Sequence, residues 1–196
     1  MTDVAVVRTG SANLASVFVA LERLGGVPRL VDRPDEVVAA DRLVLPGVGA
    51  FASAMGVLER ADLVEPVRAY AAAGRPLLAI CLGFQLLAES SEEGGEVRGL
   101  GVIPGRVTRF ASDVRVPQFG WNRVEWDGSG NPAGHAYFAN SYRLVDPPNG
   151  WDVATADHGG RFVAAIARPR QLGCQFHPEL SGAWGEALLR RWWDQC

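Results

Sequence analysis

The sequence predicts an α/β fold in which an open, mostly parallel sheet is flanked by helices and extended by an antiparallel β section. In the first half of the 196-residue chain, short apolar runs alternate with segments of helical periodicity, which is typical of repeated βα units. In the second half, strand-like segments follow one another with turn residues between them. The length fits one hydrophobic core, so residues 1–196 are expected to form a single domain.

Four apolar runs in the first half are predicted strands: Val4–Arg8, Pro28–Val31, Leu43–Leu45 and Pro76–Ile80. Apolar residues then recur at helical spacing over Leu14–Leu24, and Gly25 ends that helix. Pro34 begins a short helix, for which Asp32 is the candidate N-cap. Two further helical stretches are predicted, one extending to Gly74 with a break near Asp62 and Pro66, and one over Leu82–Ser90.

The second half contains six predicted strands and one predicted helix. The strands are Val102–Phe110, Trp121–Trp126, Ala136–Leu144, Trp151–Ala156, Phe162–Ala167 and Leu172–Phe176, and the helix is Ala183–Trp193. Consecutive short strands with turns between them indicate the antiparallel section.

Composition excludes several classes of function. The net charge is −3, which gives no reason to expect nucleic acid or an anionic membrane as a partner. All 19 basic residues are Arg, so lysine Schiff-base chemistry and a Walker-A lysine are excluded. The three cysteines are an odd, widely spaced set without the pattern of a disulfide framework. Without a signal peptide or a membrane-spanning apolar run, a cytoplasmic location is expected.

Cys81 is the first candidate catalytic residue, because it lies between a predicted strand and a predicted helix. This context matches a nucleophile elbow, in which a tight turn exposes the side chain and the helix N-terminus stabilises a thiolate. The small residues Ala79 and Gly83 leave room for such a turn. A buried structural cysteine at a strand end fits the same pattern equally well, so the local sequence leaves both interpretations open.

His177 is the best of the three histidines as a base for that thiol. It follows an apolar strand, and Glu179 lies two residues on, where its carboxylate can orient the imidazole. Functional groups gather at the carboxyl ends of strands in open α/β sheets, so Cys81 and His177 can meet although they are far apart in the chain. The alternative is a strand-end histidine capped by a nearby carboxylate.

The other histidines and cysteines are expected to have no catalytic role. His135 and His158 lie in turn-like sequence and are expected in solvated loops. Cys174 is expected in a strand core, and Cys196 is a terminal thiol. Cys174 and His177 alone are too few ligands for a zinc site, so no metal is expected.

Acyl transfer also needs hydrogen-bond donors for a tetrahedral oxyanion. The Leu82 backbone N–H, next to Cys81, is one candidate. The segment Pro46–Phe51 is another, because its glycines let the backbone approach a ligand or rotate a peptide. A plain βα turn has the same composition, so this segment alone is weak evidence.

Six segments together resemble a known family. They are GSANLASV (10–17), LPGVGAF (45–51), ICLGFQLL (80–87), VPQFGWN (116–122), YFANSY (137–142) and QFHPE (175–179). In this order, and over essentially the whole chain, they resemble class I (triad-type) glutamine amidotransferases, specifically the glutaminase subunits of imidazole glycerol phosphate synthase. The resemblance implies a flavodoxin-like α/β fold and favours Cys81 as the nucleophile.

The resemblance implies a role for each matching residue. Cys81 would form a glutamyl thioester, His177 would be general base and acid, and Glu179 would orient His177. The residues implied to hold glutamine are Gly49, Gln85, Ser141 and Tyr142, and those implied to donate N–H groups to the oxyanion are Val48 and Leu82. The residues implied at the partner interface are Asn13, Gln118, Trp121 and Asn122.

The resemblance also implies the partner. Ammonia from L-glutamine would pass to a separate (β/α)₈ cyclase subunit, which makes imidazole glycerol phosphate and an aminoimidazole carboxamide ribotide in histidine biosynthesis. The two subunits would form a heterodimer, without an organic cofactor or metal in this chain. A docked partner would rotate a peptide of the glycine-containing segment Gly47–Gly49 toward the oxyanion. Trp121 fits an anchor of that interface, although a core strand position fits it as well.

Three positions depart from the family pattern. Arg8-Thr9 stand where Asp-Tyr is frequent, Ala79 replaces a glycine of the elbow, and Leu180 stands where a partner-facing Lys is usual. These changes keep open a paralogous amidotransferase that feeds ammonia to another synthase. A non-catalytic module that kept the fold is a third hypothesis, against which the intact Cys, His and Glu set argues.

Overall fold

The computed structural model describes residues 2–10, 14–128 and 130–196. The strands are β1 (Thr2–Val7), β2 (Gly26–Val31), β3 (Arg42–Leu45), β4 (Leu77–Ile80), β5 (Ser90–Ser91), β6 (Val97–Arg98), β7 (Arg106–Arg109), β8 (Gln118–Trp126), β9 (Gly134–Asn140), β10 (Tyr142–Leu144), β11 (Asp152–Asp157), β12 (Arg161–Arg168) and β13 (Gln171–Cys174). The helices are α1 (Ala15–Arg23), α2 (Pro34–Ala39), α3 (Phe51–Arg60), α4 (Val64–Ala72), α5 (Leu82–Leu86) and α6 (Gly182–Asp194), and a 3₁₀ turn covers Pro178–Leu180.

One large sheet runs through both halves of the chain. Its strand order is β2-β1-β3-β4-β13-β12-β11-β8-β9. The strands from β2 to β13 are parallel to their neighbours, and from β13 to β9 the pairing is antiparallel. A smaller sheet has the order β10-β7-β5-β6. The predicted parallel sheet with an added antiparallel section is therefore confirmed, and the added strands continue the same sheet.

Helices cover both faces of the parallel strands and create two cores. Successive residues of a strand point to opposite faces. In β1, Ala5 and Val7 pack into the core under α2, α3 and α4, whereas Val4 and Val6 pack into the core under α1 and α6. All four side chains are completely buried, which explains why this strand is apolar throughout and does not alternate.

Asp32 is not the N-cap of α2, contrary to the prediction. Arg33 holds that position, and its side chain makes no capping hydrogen bond. The Asp32 carboxylate instead accepts a hydrogen bond from Arg8 Nε at 3.2 Å, so an ion pair with the end of β1 replaces the cap.

The helix predicted over Leu82–Ser90 ends at Leu86. The carbonyls of Leu86, Leu87 and Ala88 accept hydrogen bonds from the N–H groups of residues 100–103, so no further helical turn forms there. Ser90 lies in β5. The prediction is wrong at this end because the competing donors come from a later segment of the chain.

Other predicted elements have different boundaries. The strand predicted over Ala136–Leu144 is split at Ser141, because the preceding residues pair with β8 and the following ones cross to β7. The break near Asp62 is confirmed: α3 ends at Arg60, α4 begins at Val64, and Asp62 has a φ of 55°. The strands predicted over Val102–Phe110 and Leu172–Phe176 are shorter, covering Arg106–Arg109 and Gln171–Cys174. Within the described ranges, no helix has the length and apolar character needed to cross a bilayer.

Candidate active site

Cys81 occupies a strained turn between β4 and α5. Its φ of 52° and ψ of −109° lie in a region that residues other than glycine rarely adopt. Two residues later, a Cβ on Gly83 would collide with the Leu45 carbonyl oxygen, so only glycine allows the backbone to pass β3 here. The turn has the geometry of a nucleophile elbow, and the side chain lies at the N-terminus of α5, as the sequence predicted.

Strand pairing brings Cys81 and His177 together. β13 lies beside β4 in parallel, with Cys174 opposite Ile80, and the Cys81 N–H donates to the Cys174 carbonyl at 2.7 Å. The chain then leaves β13 toward His177, which lines the same pocket as Cys81, and the Cys81 side chain is one of the groups that raise the pKa of His177. On its other side, His177 Nδ1 lies 2.9 Å from Glu179 Oε1. The three predicted catalytic residues therefore form a continuous Cys–His–Glu arrangement.

The environment of His177 favours the imidazolium. Burial lowers the pKa of His177, but the hydrogen bonds to Cys81 and Glu179, together with the negative charges of both partners, raise that pKa to about 10. A proton is thus held beside the sulfur at neutral pH. It is in place for transfer to a leaving group.

Cys174 and the other two histidines do not join this arrangement. Burial, and then the negative charge of Glu179, raise the pKa of the Cys174 thiol well above its usual range, so it stays protonated. His158 Nε2 lies 2.8 Å from the Arg115 carbonyl and its ring packs against Phe110, so it is not simply solvated. His135 lies in β9, where a loop was predicted, because the hairpin with β8 extends that far. Among the described residues, no cluster of His, Cys, Asp and Glu could hold a metal ion.

A pocket of about 280 Å³ opens beside Cys81 and His177. Its wall includes all of the residues predicted to bind glutamine or its oxyanion: Val48, Gly49, Leu82, Gln85, Ser141 and Tyr142. The Gln85 amide is buried and donates to the Tyr142 carbonyl at 3.0 Å and to Gln175 Oε1 at 2.9 Å. Gln85 therefore links α5 to the part of the pocket wall formed by Tyr142. Gln175, which also reaches to 3.9 Å from the Cys81 sulfur, was not singled out from the sequence.

Glu93 also lines the pocket and was not singled out by sequence analysis. Its Oε2 accepts a hydrogen bond from the Phe51 N–H at 2.9 Å, at the first residue of α3. Its only sequence signal is an acidic pair after a helix, Glu92-Glu93, which is more typical of a solvated surface. The fold brings this carboxylate to the pocket by turning the chain into the smaller sheet after α5.

The oxyanion loop, Pro46–Ala50, has a conformation that blocks one of the two predicted donors. The Leu82 N–H donates to the Gly47 carbonyl at 3.3 Å. Because the Gly47–Val48 peptide is planar and trans, the Val48 N–H points away from the Leu82 N–H. The two N–H groups cannot share an acceptor until this peptide rotates. The Gly47 carbonyl thus occupies the Leu82 N–H, one of the two donors predicted for the oxyanion.

An exposed aromatic surface lies next to the triad. Trp121 is 59% exposed, which rules out the core position, and Phe119 beside it is 73% exposed. Both pack edge-to-face on the Tyr137 ring. The backbone carbonyl of Tyr137 accepts a hydrogen bond from the backbone N–H of His177 at 2.9 Å. Leu180, 45% exposed, follows the triad directly. This aromatic surface is therefore connected through one residue to the backbone of His177.

The other residues predicted at the interface are placed differently. Gln118 is buried, and neither atom of its amide has a partner among the described residues. Asn122 donates to the Asp157 carbonyl at 2.7 Å and so ties β8 to the end of β11. Asn13 lies outside the described residues. A role at an interface stays a prediction for all three.

Comparison with known proteins agrees with this geometry. Residues 26–195 match the family Glutamine amidotransferase class-I. The chain is 42% identical to "Imidazole glycerol phosphate synthase subunit HisH" of Moorella thermoacetica, covering 97% of this chain and 93% of that protein. It is 45% identical to the chloroplastic "Imidazole glycerol phosphate synthase hisHF" of Arabidopsis thaliana, covering 93% of this chain but only 32% of that longer protein.

A solved structure of a glutamine amidotransferase has the same fold, with a TM-score of 0.78 at 23% identity over 98% of this chain and 97% of that one. The sequence matches extend over nearly the full chain and include the segments that carry the triad. The chain therefore belongs to the class-I glutamine amidotransferases, and among them to the HisH subunits of imidazole glycerol phosphate synthase.

Proposed function

We propose that this chain hydrolyses L-glutamine to glutamate and ammonia as the glutaminase subunit of an imidazole glycerol phosphate synthase. The observation that carries the proposal is the Cys81–His177–Glu179 arrangement at the wall of a pocket with a buried amide and one carboxylate. Amide hydrolysis needs a nucleophile, a proton donor for nitrogen and oxyanion donors, and the pocket contains candidates for each.

In the first half-reaction, the Cys81 sulfur attacks the side-chain carbonyl carbon of glutamine, and the carbonyl oxygen becomes an oxyanion. His177 gives its proton to the leaving nitrogen as the C–N bond breaks. Ammonia leaves, and a glutamyl thioester remains on Cys81. The position of Glu179 on Nδ1 keeps the opposite ring nitrogen directed at the sulfur and the leaving group.

In the second half-reaction, neutral His177 takes a proton from water, and the resulting hydroxide attacks the thioester carbon. The C–S bond breaks, glutamate is released, and the thiolate–imidazolium pair is restored. Both half-reactions pass through a tetrahedral oxyanion, so both require the Leu82 N–H that the Gly47 carbonyl occupies at rest.

We infer that partner binding controls this step by rotating the Gly47–Val48 peptide. Rotation would free the Leu82 N–H and turn the Val48 N–H toward the same acceptor. A bias of a few kcal/mol is enough for such a switch, and each 1.4 kcal/mol changes a rate about tenfold. Glutamine would then not be consumed while no ammonia acceptor is bound.

The proposed partner is a cyclase subunit that receives the ammonia, as the names of the relatives indicate for those proteins. The aromatic surface of Phe119 and Trp121, together with the exposed Leu180, is the proposed docking site, since exposed aromatic side chains are frequent interface anchors. These names favour imidazole glycerol phosphate synthase over ammonia supply to another synthase.

The test compares glutamate formation by the isolated chain with formation by the chain plus cyclase and its ligand. We expect the isolated chain to be slow and the complex to be faster by at least about tenfold, the effect of 1.4 kcal/mol. Equal rates would refute control by the partner. No glutamate formation in either sample would refute the glutaminase itself.

We further propose that residues 1–196 form one domain in the cytoplasm. The sheet that runs through both halves supports the first point, and the three free thiols fit a reducing compartment. A single cooperative unfolding transition, seen together by far-UV and near-UV circular dichroism, tests the domain. Cell fractionation tests the location.

A further inference from the structure

We propose that Glu93 anchors the far end of the oxyanion loop and that, through this anchor, bound glutamine holds the loop ready for hydrolysis. The inference rests on the proposed glutaminase function. It assigns Glu93 as a positioning residue that acts through the Phe51 N–H.

The near end of the loop is fixed by β3 and by Thr9. β3 ends at Leu45 inside the parallel sheet, and the buried Thr9 hydroxyl donates to the Pro46 carbonyl at 3.1 Å. The first residue of the loop therefore has little freedom to move.

The far end is fixed by Phe51 and Glu93. The Phe51 side chain is completely buried in the core under α3, and its N–H donates to Glu93 Oε2. Helix N-termini carry unpaired N–H groups and a partial positive charge, which a carboxylate satisfies. Ala50 is at the N-cap, and its methyl side chain cannot accept a hydrogen bond from these N–H groups. The first turn of α3 contains no acidic residue. Glu93, 42 residues away in the chain, replaces the missing local cap.

Between these two anchors the backbone is open at Gly49, whereas Gly47 packs against Leu82 and the Gly83 backbone. Gly49 has a φ of 116°, and no heavy atom lies within 4 Å of where its Cβ would be. Rotation of the Gly47–Val48 peptide can therefore be absorbed on its Val48–Ala50 side, around Gly49, provided that Phe51 does not move. If Phe51 is released, the same rotation spreads into α3, and the Val48 N–H is no longer placed accurately.

Glu93 also lines the pocket, and its Oε1 has no protein partner within the described part of the chain. An α-ammonium group of a bound amino acid would pair with a pocket carboxylate through a charge-assisted hydrogen bond. The same carboxylate would then hold the substrate on one oxygen and the oxyanion loop on the other. Substrate binding and loop order would strengthen each other, because such coupling is reciprocal.

The test distinguishes the roles of the two Glu93 carboxylate oxygens. It compares two substrates, glutamine and its des-amino analogue glutaramate, with the chain–cyclase complex. Glutaramate has no ammonium group, so a loss that persists with it reports the anchor and not substrate pairing. For Glu93→Ala we expect kcat with glutaramate to fall at least about tenfold, because the Val48 N–H is then no longer held in place for the oxyanion. A kcat within twofold of wild type would overturn the proposal.

Two further variants separate anchoring from a general folding defect. Glu93→Gln keeps an oxygen for the Phe51 N–H but loses the charge. With glutaramate we expect kcat near wild type and an unchanged KM, and with glutamine we expect a raised KM. Ala50→Ser supplies a local N-cap, so the double variant with Glu93→Ala should regain at least threefold in kcat without recovering KM for glutamine. If Ala50→Ser restores nothing, the anchor is wrong. If the wild-type complex hydrolyses neither substrate, the proposed function fails before this inference is reached.

Discussion

The triad side and the oxyanion side of the site differ in how the backbone is held. Cys81 and His177 each follow a strand of one parallel pair, β4 and β13, and backbone hydrogen bonds fix that pair on both sides. The oxyanion loop has no strand partner, and its middle contains two glycines. The nucleophile, base and orienting carboxylate are therefore preorganised, whereas the oxyanion donors depend on a peptide that has to rotate. The triad is fixed by the folded sheet, whereas the proposed control by the partner acts on the oxyanion loop.

Removal of the nucleophile gives the largest expected effect. Cys81→Ala should lower glutamine hydrolysis by roughly 10⁴-fold or more, because no other thiol is positioned to form the thioester. The fold should persist, since a smaller side chain is accepted at the turn. Glutamate release is measured in the complex, with cyclase activity driven by added ammonium salt as the control. Retained hydrolysis would remove Cys81 from the mechanism.

Removal of the base and of its orienting group should give smaller and ordered effects. His177→Ala should cost about 10²-fold or more in rate, the usual scale for a positioned general base. Glu179→Gln should cost less, because it disturbs the orientation and charge of His177 without removing the ring. Steady-state kinetics of the two variants in the complex check this order. A greater loss in Glu179→Gln would assign that carboxylate a more direct role.

The aromatic surface offers a test of the control side alone. Trp121→Ala should weaken cyclase binding about thirtyfold or more, since exposed aromatic anchors contribute about 2 kcal/mol or more at interfaces. Arg123→Ala is the matched control: Arg123 points to the same face of β8 but pairs with Glu125 at 2.8 Å. Titration calorimetry measures both affinities. Equal weakening by the two changes would move the docking site away from Trp121.

A further expected effect, on stability and not on rate or affinity, is the pH dependence of unfolding. Because the pKa of His177 is raised to about 10 from an unfolded value near 6.5, the folded state binds more protons between these pH values. The stabilisation by His177 is fully present below about pH 6.5 and is lost as the pH rises toward 10. Unfolding of wild type and Cys81→Ala by denaturant, at pH 6.5 and pH 10, measures the change. The loss should be smaller in the variant, which lacks one charge that raises the pKa.

Local sequence predicted the elbow and its strands well, because their causes are local. The apolar runs of β1, β3 and β4 and the glycine at position 83 are visible without any tertiary information. The helix end at Leu86 and the split at Ser141 were missed because residues 100–103 and β7 supply the competing hydrogen bonds. A local propensity pattern contains no information about hydrogen-bond partners from distant parts of the chain.

By itself, the sequence determined the alternation of βα units, the position of Cys81 on a tight turn and the family to which the motifs point. Only the tertiary structure decided that His177, not His135 or His158, reaches the thiol, because the parallel pairing of β13 with β4 sets that distance. It also decided that the Gly47 carbonyl occupies the Leu82 N–H and that Glu93 reaches Phe51. These contacts join segments far apart in sequence, and their geometry depends on how the sheets and helices pack.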